Sequence, residues 1–412
     1  MTGRLYEGLK VLDFSTNIAG PIAASMLADF GAEVIKVERP VCGEDTRMAA
    51  PQLEGFSYCS WYLNRGKKSI TLSLRDPEAI AFIKEKLIPE MDVLIEGFRP
   101  GTMTSMGLGY EDVKAIKPDI IYCSISMYGQ TGRDSRKPGY DMLAQARSGL
   151  LDVSGEKGGM PVKSGFYISD YVASTYSYAG IASALYYREK TGIGQWLDIA
   201  LLDAIFSYNS NFENAELGIY ATRVGNHAQN VAPYGVFEGS NHEYIALVAQ
   251  YNQIWTKLCR LMGRPELVTA EGFDSPDSRV ANLDNVVNVI ETWLKTFPDV
   301  REAVKLIEAE DIPVSLIYNI DDIHKDEHLK SRGMIVDIES PTPIKTIDKV
   351  ASRGIVIHMS ETPGKMNKAP AIGEHNHQVM EQYGMPASQV DRLQKKWADE
   401  YWAKKGRTGG HS

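Results

Sequence analysis

The sequence is poor in cysteine. It has four in 412 residues, Cys42, Cys59, Cys123 and Cys259, and no CxxC pair. That spacing excludes a disulfide framework and a zinc knuckle, and it suits free thiols in a reducing cytoplasm. No uncharged apolar run reaches the length of a membrane span. The segment Met1 to Gly8 lacks the apolar core of a secretory signal. An excess of positive charge is also missing: Lys plus Arg is 44, Asp plus Glu is 53, and the net charge is −9. A general nucleic-acid or anionic-membrane binder carries the opposite footprint. A local basic pocket for an anionic ligand stays open. There is no internal repeat and no low-complexity block.

Two catalytic signatures are absent as well. A nicotinamide-binding turn needs G-x-G-x-x-G so that a pyrophosphate can approach the backbone. The first βα loop here, Ser15-Thr16-Asn17-Ile18-Ala19-Gly20-Pro21, offers one glycine, and Pro21 removes an N–H donor. There is no G-x-S-x-G serine elbow. His324-Lys325-Asp326-Glu327-His328 matches H-x-x-E-H, but no third ligand is identifiable and the run also fits a solvated helix. His375-Asn376-His377 reads as solvated loop. No metal site is expected.

What is present is alternation. At about 150 residues per domain the length suggests two or three domains. Leu9 to Phe14 reads as a buried strand, Ile22 to Phe30 as a helix stopped by Gly31, and Glu33 to Glu38 as a second strand. Ser69 to Leu74, Asp92 to Glu96 and Asp119 to Met127 continue the series. Asp76 is placed as an N-cap and Pro77 as the first residue of a helix to Leu87. This pattern predicts an α/β fold with an open, Rossmann-like, mostly parallel sheet. Ligands of such sheets bind beyond the carboxyl ends of the strands. Those ends are 15–21, 39–47, 97–101 and 128–133.

Further on, Tyr171 to Arg188 reads as a helix, Gln195 to Ala200 as a strand, and residues 233–249 as a hairpin around Gly239. The expected organisation is a large domain from 1–215, a smaller α+β domain at 225–325, and a segment from 340–412 that returns to the large domain. Within that segment, 340–370 reads as an extended crossing stretch, 387–405 as a helix and 407–412 as a frayed tail.

Asp170 opens the predicted helix from Tyr171. Two readings follow from its position. It is an ordinary N-cap, or it is a carboxylate kept ionised by aligned N–H dipoles and able to attack a thioester carbonyl. Periodicity does not separate them. Arg39 and Arg47, Lys67, Lys68 and Arg75, Arg99, and Arg136 and Lys137 gather near the predicted ligand edge, as a phosphate site requires.

The ordered segments that carry a resemblance are Gly8 to Asp13, Ala19-Gly20-Pro21, Gly31 to Glu38, Asp45-Thr46-Arg47, Asn64 to Ile70, Phe98 to Gly101, Met106 to Tyr110 and Pro138 to Asp141. Gly192 to Gln195, Ala232 to Gly235, Arg332 to Met334 and Gly373 to His375 extend it. Over nearly its whole length the chain resembles the family III CoA-transferases, which include formyl-CoA, carnitine and bile-acid CoA-transferases and the α-methylacyl-CoA racemases. The resemblance implies an interlocked homodimer. It implies reversible CoA transfer from an acyl-CoA to a carboxylic acid, through an aspartyl anhydride and an aspartyl-CoA thioester on Asp170. It needs no resident cofactor; coenzyme A esters are substrates. The alternatives are a racemase or epimerase, or a non-catalytic acyl-CoA binding protein.

The CoA-contacting positions implied are Asn17, Ile18, Ala19, Arg39, Leu72, Arg75, Gly97, Phe98, Arg99, Lys137 and Tyr140, with Arg39 at the adenosine end and Arg99 on a phosphate. Three departures stand out. Ile18 replaces the glutamine of the formyl-CoA transferases, so an oxyanion there needs backbone N–H groups. Ser105 replaces an arginine usual before Met106. Tyr140 stands where racemases carry a histidine base, and a tyrosine with a free pKa of about 10 is a poor base at neutral pH.

Overall fold

The computed structural model describes residues 3–341 and 344–408. Its strands, in chain order, are β1 (Lys10–Asp13), β2 (Glu33–Glu38), β3 (Gln52–Leu53), β4 (Phe56–Ser57), β5 (Lys68–Thr71), β6 (Val93–Glu96) and β7 (Ile121–Ser126). They continue with β8 (Gln195–Ala200), β9 (Tyr234–Glu238), β10 (Tyr244–Val248), β11 (Val314–Leu316), β12 (Ile335–Glu339) and β13 (Lys349–Arg353). Six of them form one sheet in the order β5-β2-β1-β6-β7-β8. Every pairing in it is parallel. The α/β expectation therefore holds, and smaller antiparallel sheets accompany the parallel one.

Two compact units result. The first comprises, within the described residues, Met1–Ser148, Ser164–Tyr208 and Glu327–Ser412; the second comprises Gly149–Lys163 and Asn209–Asp326. The linear reading kept 149–163 with the large domain, whereas this stretch belongs to the second unit. In that unit β11-β10-β9 form an antiparallel sheet, packed on Trp255, Leu258, Val286, Ile290 and Ile307. Arg279 is fully buried there. Its guanidinium donates to the carbonyls of Ala232, Gln250 and Phe273, which satisfies a charge that would otherwise be costly to bury.

In the first unit, Leu12, Ile35, Ile70 and Leu94 share a core with Val379, Val390, Leu393 and Trp397 from the end of the chain. The C-terminal segment also covers the edge strand β5. The N–H of Ser69 donates to His375 Nδ1 at 3.2 Å and that of Thr71 to Asn376 Oδ1 at 2.7 Å. An open edge is thereby closed without a further strand. His375 and Asn376 are a clamp, not the solvated loop expected. The crossing stretch differs too: β13 lies inside it and pairs with β12 as a hairpin. The last helix, Ala387–Thr408, runs past the expected end; residues 409–412 of the expected tail lie outside the described residues. Among the described residues no helix is long and apolar enough to cross a membrane.

The carboxyl edge of the sheet is built on buried charge. Asp13, Lys36 and Lys67 are all fully buried side chains. Asp13 Oδ2 lies 2.9 Å from Lys67 Nζ and 3.4 Å from Lys36 Nζ. Asp13 Oδ1 accepts the Ser15 N–H at 2.9 Å and also the Ser15 hydroxyl. Lys36 donates to the Ser15 carbonyl. Beside this cluster, Glu38 pairs with Arg47 at 2.7 Å and accepts from Ser69 Oγ at 2.6 Å. Arg47 reaches on to the Pro370 carbonyl at 2.7 Å. Each buried charge is matched, as burial requires.

Burial pushes the Asp13 carboxyl up, but Lys36, Lys67 and Ser15 outweigh it and hold it well below the usual carboxylate range. A carboxyl lowered in this way contributes stability in full above its unfolded pKa of about 4 and loses it as the pH falls toward its folded value. Asp13→Ala, which leaves two buried lysines unmatched, is expected to cost about 3–5 kcal/mol in urea unfolding at pH 7. The difference from wild type should shrink as the pH is lowered from about 4 toward 2. A loss under about 1 kcal/mol would show that the cluster does not carry the edge.

Candidate active site

The long helix Ile168–Thr191 sets the position of Asp170. The helix begins three residues earlier than expected, with Tyr167 as its N-cap and no side-chain bond from that residue. Asp170 is therefore the third helical residue and not the cap. The capping task falls to Asp141, the first residue of the helix Asp141–Arg147. Its Oδ1 accepts the Ser169 N–H at 2.8 Å and the Ser169 hydroxyl at 2.5 Å, and its Oδ2 accepts Gln145 Nε2 at 2.6 Å. One buried carboxylate thus ties two helices together and satisfies an N–H that the helix cannot.

Asp170 is left with the opposite environment. Among the described residues nothing donates a hydrogen bond to its carboxylate; only its backbone carbonyl is engaged, by Ser174 Oγ at 2.7 Å. Burial, followed by the like charge of Asp141, pushes its pKa up to about 7. Of the two readings left open by the sequence, the N-cap falls to Asp141, and the Asp170 carboxyl is raised rather than kept ionised. A carboxylate with few donors and little water is a stronger nucleophile than a solvated one. Exposed Phe166 and Tyr167 directly precede the helix of Asp170, and exposed Tyr140 directly precedes that of Asp141.

The implied CoA positions follow the carboxyl ends of the parallel strands. Asn17, Ile18 and Ala19 follow β1, Arg39 follows β2, Leu72 and Arg75 follow β5, Gly97 to Arg99 follow β6, and Lys137 and Tyr140 follow β7. The topology brings them to one edge, and the structure sorts them. Arg75 and Arg99 are exposed and have no ion-pair partner among the described residues. Arg39 is engaged by Asp45 at 2.5 Å and by the Gly43 carbonyl at 2.8 Å. Lys137 is held by Asp134 at 2.7 Å, which also takes Arg147 at 2.6 Å. Leu72 is a core residue, 1% exposed, so only its backbone faces the edge. Phe98 is half-buried against the same core. Arg47 and Lys67, two of the clustered cations, are buried in the charge network and face no ligand.

The first helix, Ala19–Asp29, has Ile18 as its N-cap. No acceptor among the described residues takes the N–H of Ile18, Ala19 or Gly20. Ser15 packs 3.6 Å from where a Cβ on Gly97 would lie, so the β1 and β6 loops touch.

Several residues of the edge escaped the linear reading: Asp13, Lys36, Glu44, Glu96 and Asp141. Glu96 is buried and accepts the Phe98 N–H at 2.8 Å. Burial pushes its carboxyl up to about 7, against the hydrogen bonds from Ser124 and Phe98. One signal was available. Lys36 interrupts an apolar strand, Val34-Ile35-Lys36-Val37, and an acid closes each of β1, β2 and β6. A charge inside a strand buried on both faces demands a partner.

His324 and His328 fall on two short helices that break at Asp326, and both are exposed.

The profile of CoA-transferase family III matches residues 6–376. The human protein named succinyl-CoA:glutarate CoA-transferase is 34% identical over 385 residues, which cover 91% of this chain and 85% of that protein. The Chloroflexus aurantiacus succinyl-CoA–L-malate CoA-transferase beta subunit is 32% identical, covering 94% of this chain and 96% of its own. A crystal structure of a CaiB/BaiF family protein from Brucella suis superposes with a TM-score of 0.83 at 32% identity, covering 92% of this chain and all of that one. With a match of this extent, following the parallel sheet and the strand-end loops described above, the chain belongs to CoA-transferase family III.

Proposed function

We propose that the protein moves CoA from an acyl-CoA donor to a carboxylic acid acceptor through covalent intermediates on Asp170. The observation that carries this reading is the Asp170 carboxylate itself: largely desolvated, without a donor among the described residues, and with its pKa pushed up to about 7. Ionised Asp170 attacks the acyl carbonyl, the C–S bond breaks, and CoA leaves as thiolate with a mixed anhydride formed. The thiolate then attacks the aspartyl carbonyl, releases the first acid and leaves an aspartyl-CoA thioester. The acceptor carboxylate attacks that thioester and expels the thiolate, which takes the new acyl group and restores Asp170. Every step exchanges one acyl bond for another. The thioester energy is retained throughout, and the three acyl species are handled by one nucleophile.

The free N–H groups of Ile18 and Ala19 suit the oxyanion of each tetrahedral intermediate. Ile18 itself adds only apolar surface. The relatives are named for succinyl-CoA with glutarate, L-malate or mesaconate. The substrates proposed here are accordingly a succinyl-CoA-like donor and a short dicarboxylic acid. A racemase needs a second base, and the position where the resemblance implies a racemase histidine holds Tyr140 in this chain.

Arg99 and Arg75 are the better phosphate partners of CoA, because binding costs them no existing ion pair. Arg39 and Lys137 must first leave Asp45 and Asp134. A second copy of the chain is the proposed partner. The long helix exposes Tyr176, Tyr186 and Tyr187, and β8 exposes Trp196; exposed aromatic side chains are of the kind that an obligate interface buries.

Asp170→Ala is expected to lower kcat by more than about 10³-fold with the fold retained. Wild type mixed with succinyl-CoA should give a CoA-sized adduct on the Asp170 peptide by mass spectrometry, converted to a hydroxamate by hydroxylamine. Near-normal turnover of the variant, or label elsewhere, would remove Asp170 from the route. The ionised form is the nucleophile, so kcat/KM should rise with pH through about 7. Asp141→Asn, which removes a like charge, should move that midpoint to lower pH. Arg99→Ala should raise the KM for acyl-CoA far more than it lowers kcat, because a phosphate contact serves ground and transition states alike; an unchanged KM would argue against the placement. Light scattering at micromolar concentration should give twice the chain mass, and a monomer would refute the proposed interface.

A further inference from the structure

Glu44 takes part in no step of the route above, yet it is 2% exposed and its carboxylate accepts four hydrogen bonds. Its Oε2 accepts the Asn17 N–H at 3.3 Å and the Thr46 N–H at 3.0 Å. Its Oε1 accepts Asn64 Nδ2 at 3.1 Å and the Thr46 hydroxyl. Asn64 Oδ1 in turn accepts Lys67 Nζ at 3.2 Å, and Lys67 pairs with Asp13. A continuous chain therefore runs from half-buried Asn17 through buried Glu44, Asn64, Lys67 and Asp13 and returns to Ser15 in the same loop. Asn17 is the one residue of that loop in the left-handed region, at φ 64°, a conformation that asparagine tolerates and a β-branched side chain does not. The two ends of the loop are fixed, at Ser15 by Asp13 and Lys36 and at Asn17 by Glu44. The N–H of Asn17 is used up in the process. Those of Ile18 and Ala19, directly after the bend, are not.

We propose that Glu44 is a positioning residue of the transfer reaction: it holds Asn17 in its left-handed bend and so fixes the Ile18 and Ala19 N–H groups as preformed oxyanion donors. The inference rests on the transfer route through Asp170. It deepens that route by assigning the donors' geometry to a buried acid from the loop after β2. A displaced donor weakens the transition state more than CoA binding, since the proposed phosphate partners Arg75 and Arg99 lie on other loops.

Glu44→Ala should lower kcat about 10- to 100-fold, with the KM for acyl-CoA changed less than about threefold. Glu44→Gln, which keeps an oxygen for the Asn17 and Thr46 N–H groups, should lie nearer wild type. Asn17→Val, which cannot adopt the bend without strain, should reproduce the kcat loss, and Asn17→Gly should lose less than Asn17→Val. Each variant is compared with wild type for the rate of Asp170 adduct formation from succinyl-CoA. Should Glu44→Ala fail to fold, Glu44→Gln and the Asn17 pair carry the test. Wild type that labels at Asp170 together with Glu44 variants within twofold in kcat and labelling rate would overturn the positioning role and leave the route standing. A loss carried by KM, or Asn17→Val at wild-type kcat, would overturn the positioning role in the same way. Wild type that never labels at Asp170 would overturn the route, and this inference with it.

Discussion

The buried pairing of Asp13 with Lys36 and Lys67 is the constraint on which the active edge depends. Asp13 at the end of β1, Lys36 within β2 and Lys67 just before β5 meet as fully buried side chains. Such a cluster is not a cheap source of stability, since desolvation consumes most of the Coulombic gain. Its value lies in geometry. A carboxylate with two ammonium groups and a backbone N–H on it has one acceptable arrangement. That arrangement fixes Ser15, and through Ser15 the whole first loop. Apolar residues of the same volume would fill the space without specifying the direction of the backbone.

Acids placed at or just after strand ends repeat the device around the edge. Asp13 takes the Ser15 N–H, Glu38 the Glu44 N–H at 3.1 Å, Glu44 the Asn17 N–H, and Glu96 the Phe98 N–H. Each folds a loop back on its own strand or a neighbour. Among the described residues the N–H groups of Ile18 and Ala19 have no acceptor and Arg75 and Arg99 no ion pair, while these acids are turned to the loops. The C-terminal segment joins the same system, because Arg47 bridges Glu38 to Pro370 and Ser69 meets Gly373 and His375. Residues more than 300 positions apart in sequence close one edge strand.

Asp170 contrasts with all of these acids. The others collect donors, and Asp170 has none among the described residues. Two carboxylates on adjoining helices, Asp141 and Asp170, thus divide the work. The first caps the helix with its full set of hydrogen bonds. The second is kept unsatisfied, and the charge of the first adds to the cost of ionising it. A group near neutrality in pKa is available both as an ionised nucleophile and as a stable resting acid.

The linear sequence determined the elements and their order. Val11-Leu12 and Val34-Ile35 read as strands because they are buried on both faces, and Asp76 with Pro77 read as a helix start because the cap and the fixed φ are local; Asp76 does accept the Glu78 N–H at 2.9 Å. The placement of the strand-end loops on one edge followed from parallel topology alone. Tertiary structure decided the rest. It made Asp141 rather than Asp170 the cap, drew Leu72 into the core, occupied Arg39 and Lys137 with acids and left Arg99 without one. It also turned His375 from loop into clamp. The physical reason is range. Backbone periodicity and capping act over a few residues, whereas the field and the solvent access at a carboxylate are set by groups such as Lys67, 54 positions from Asp13, that only the folded chain brings together.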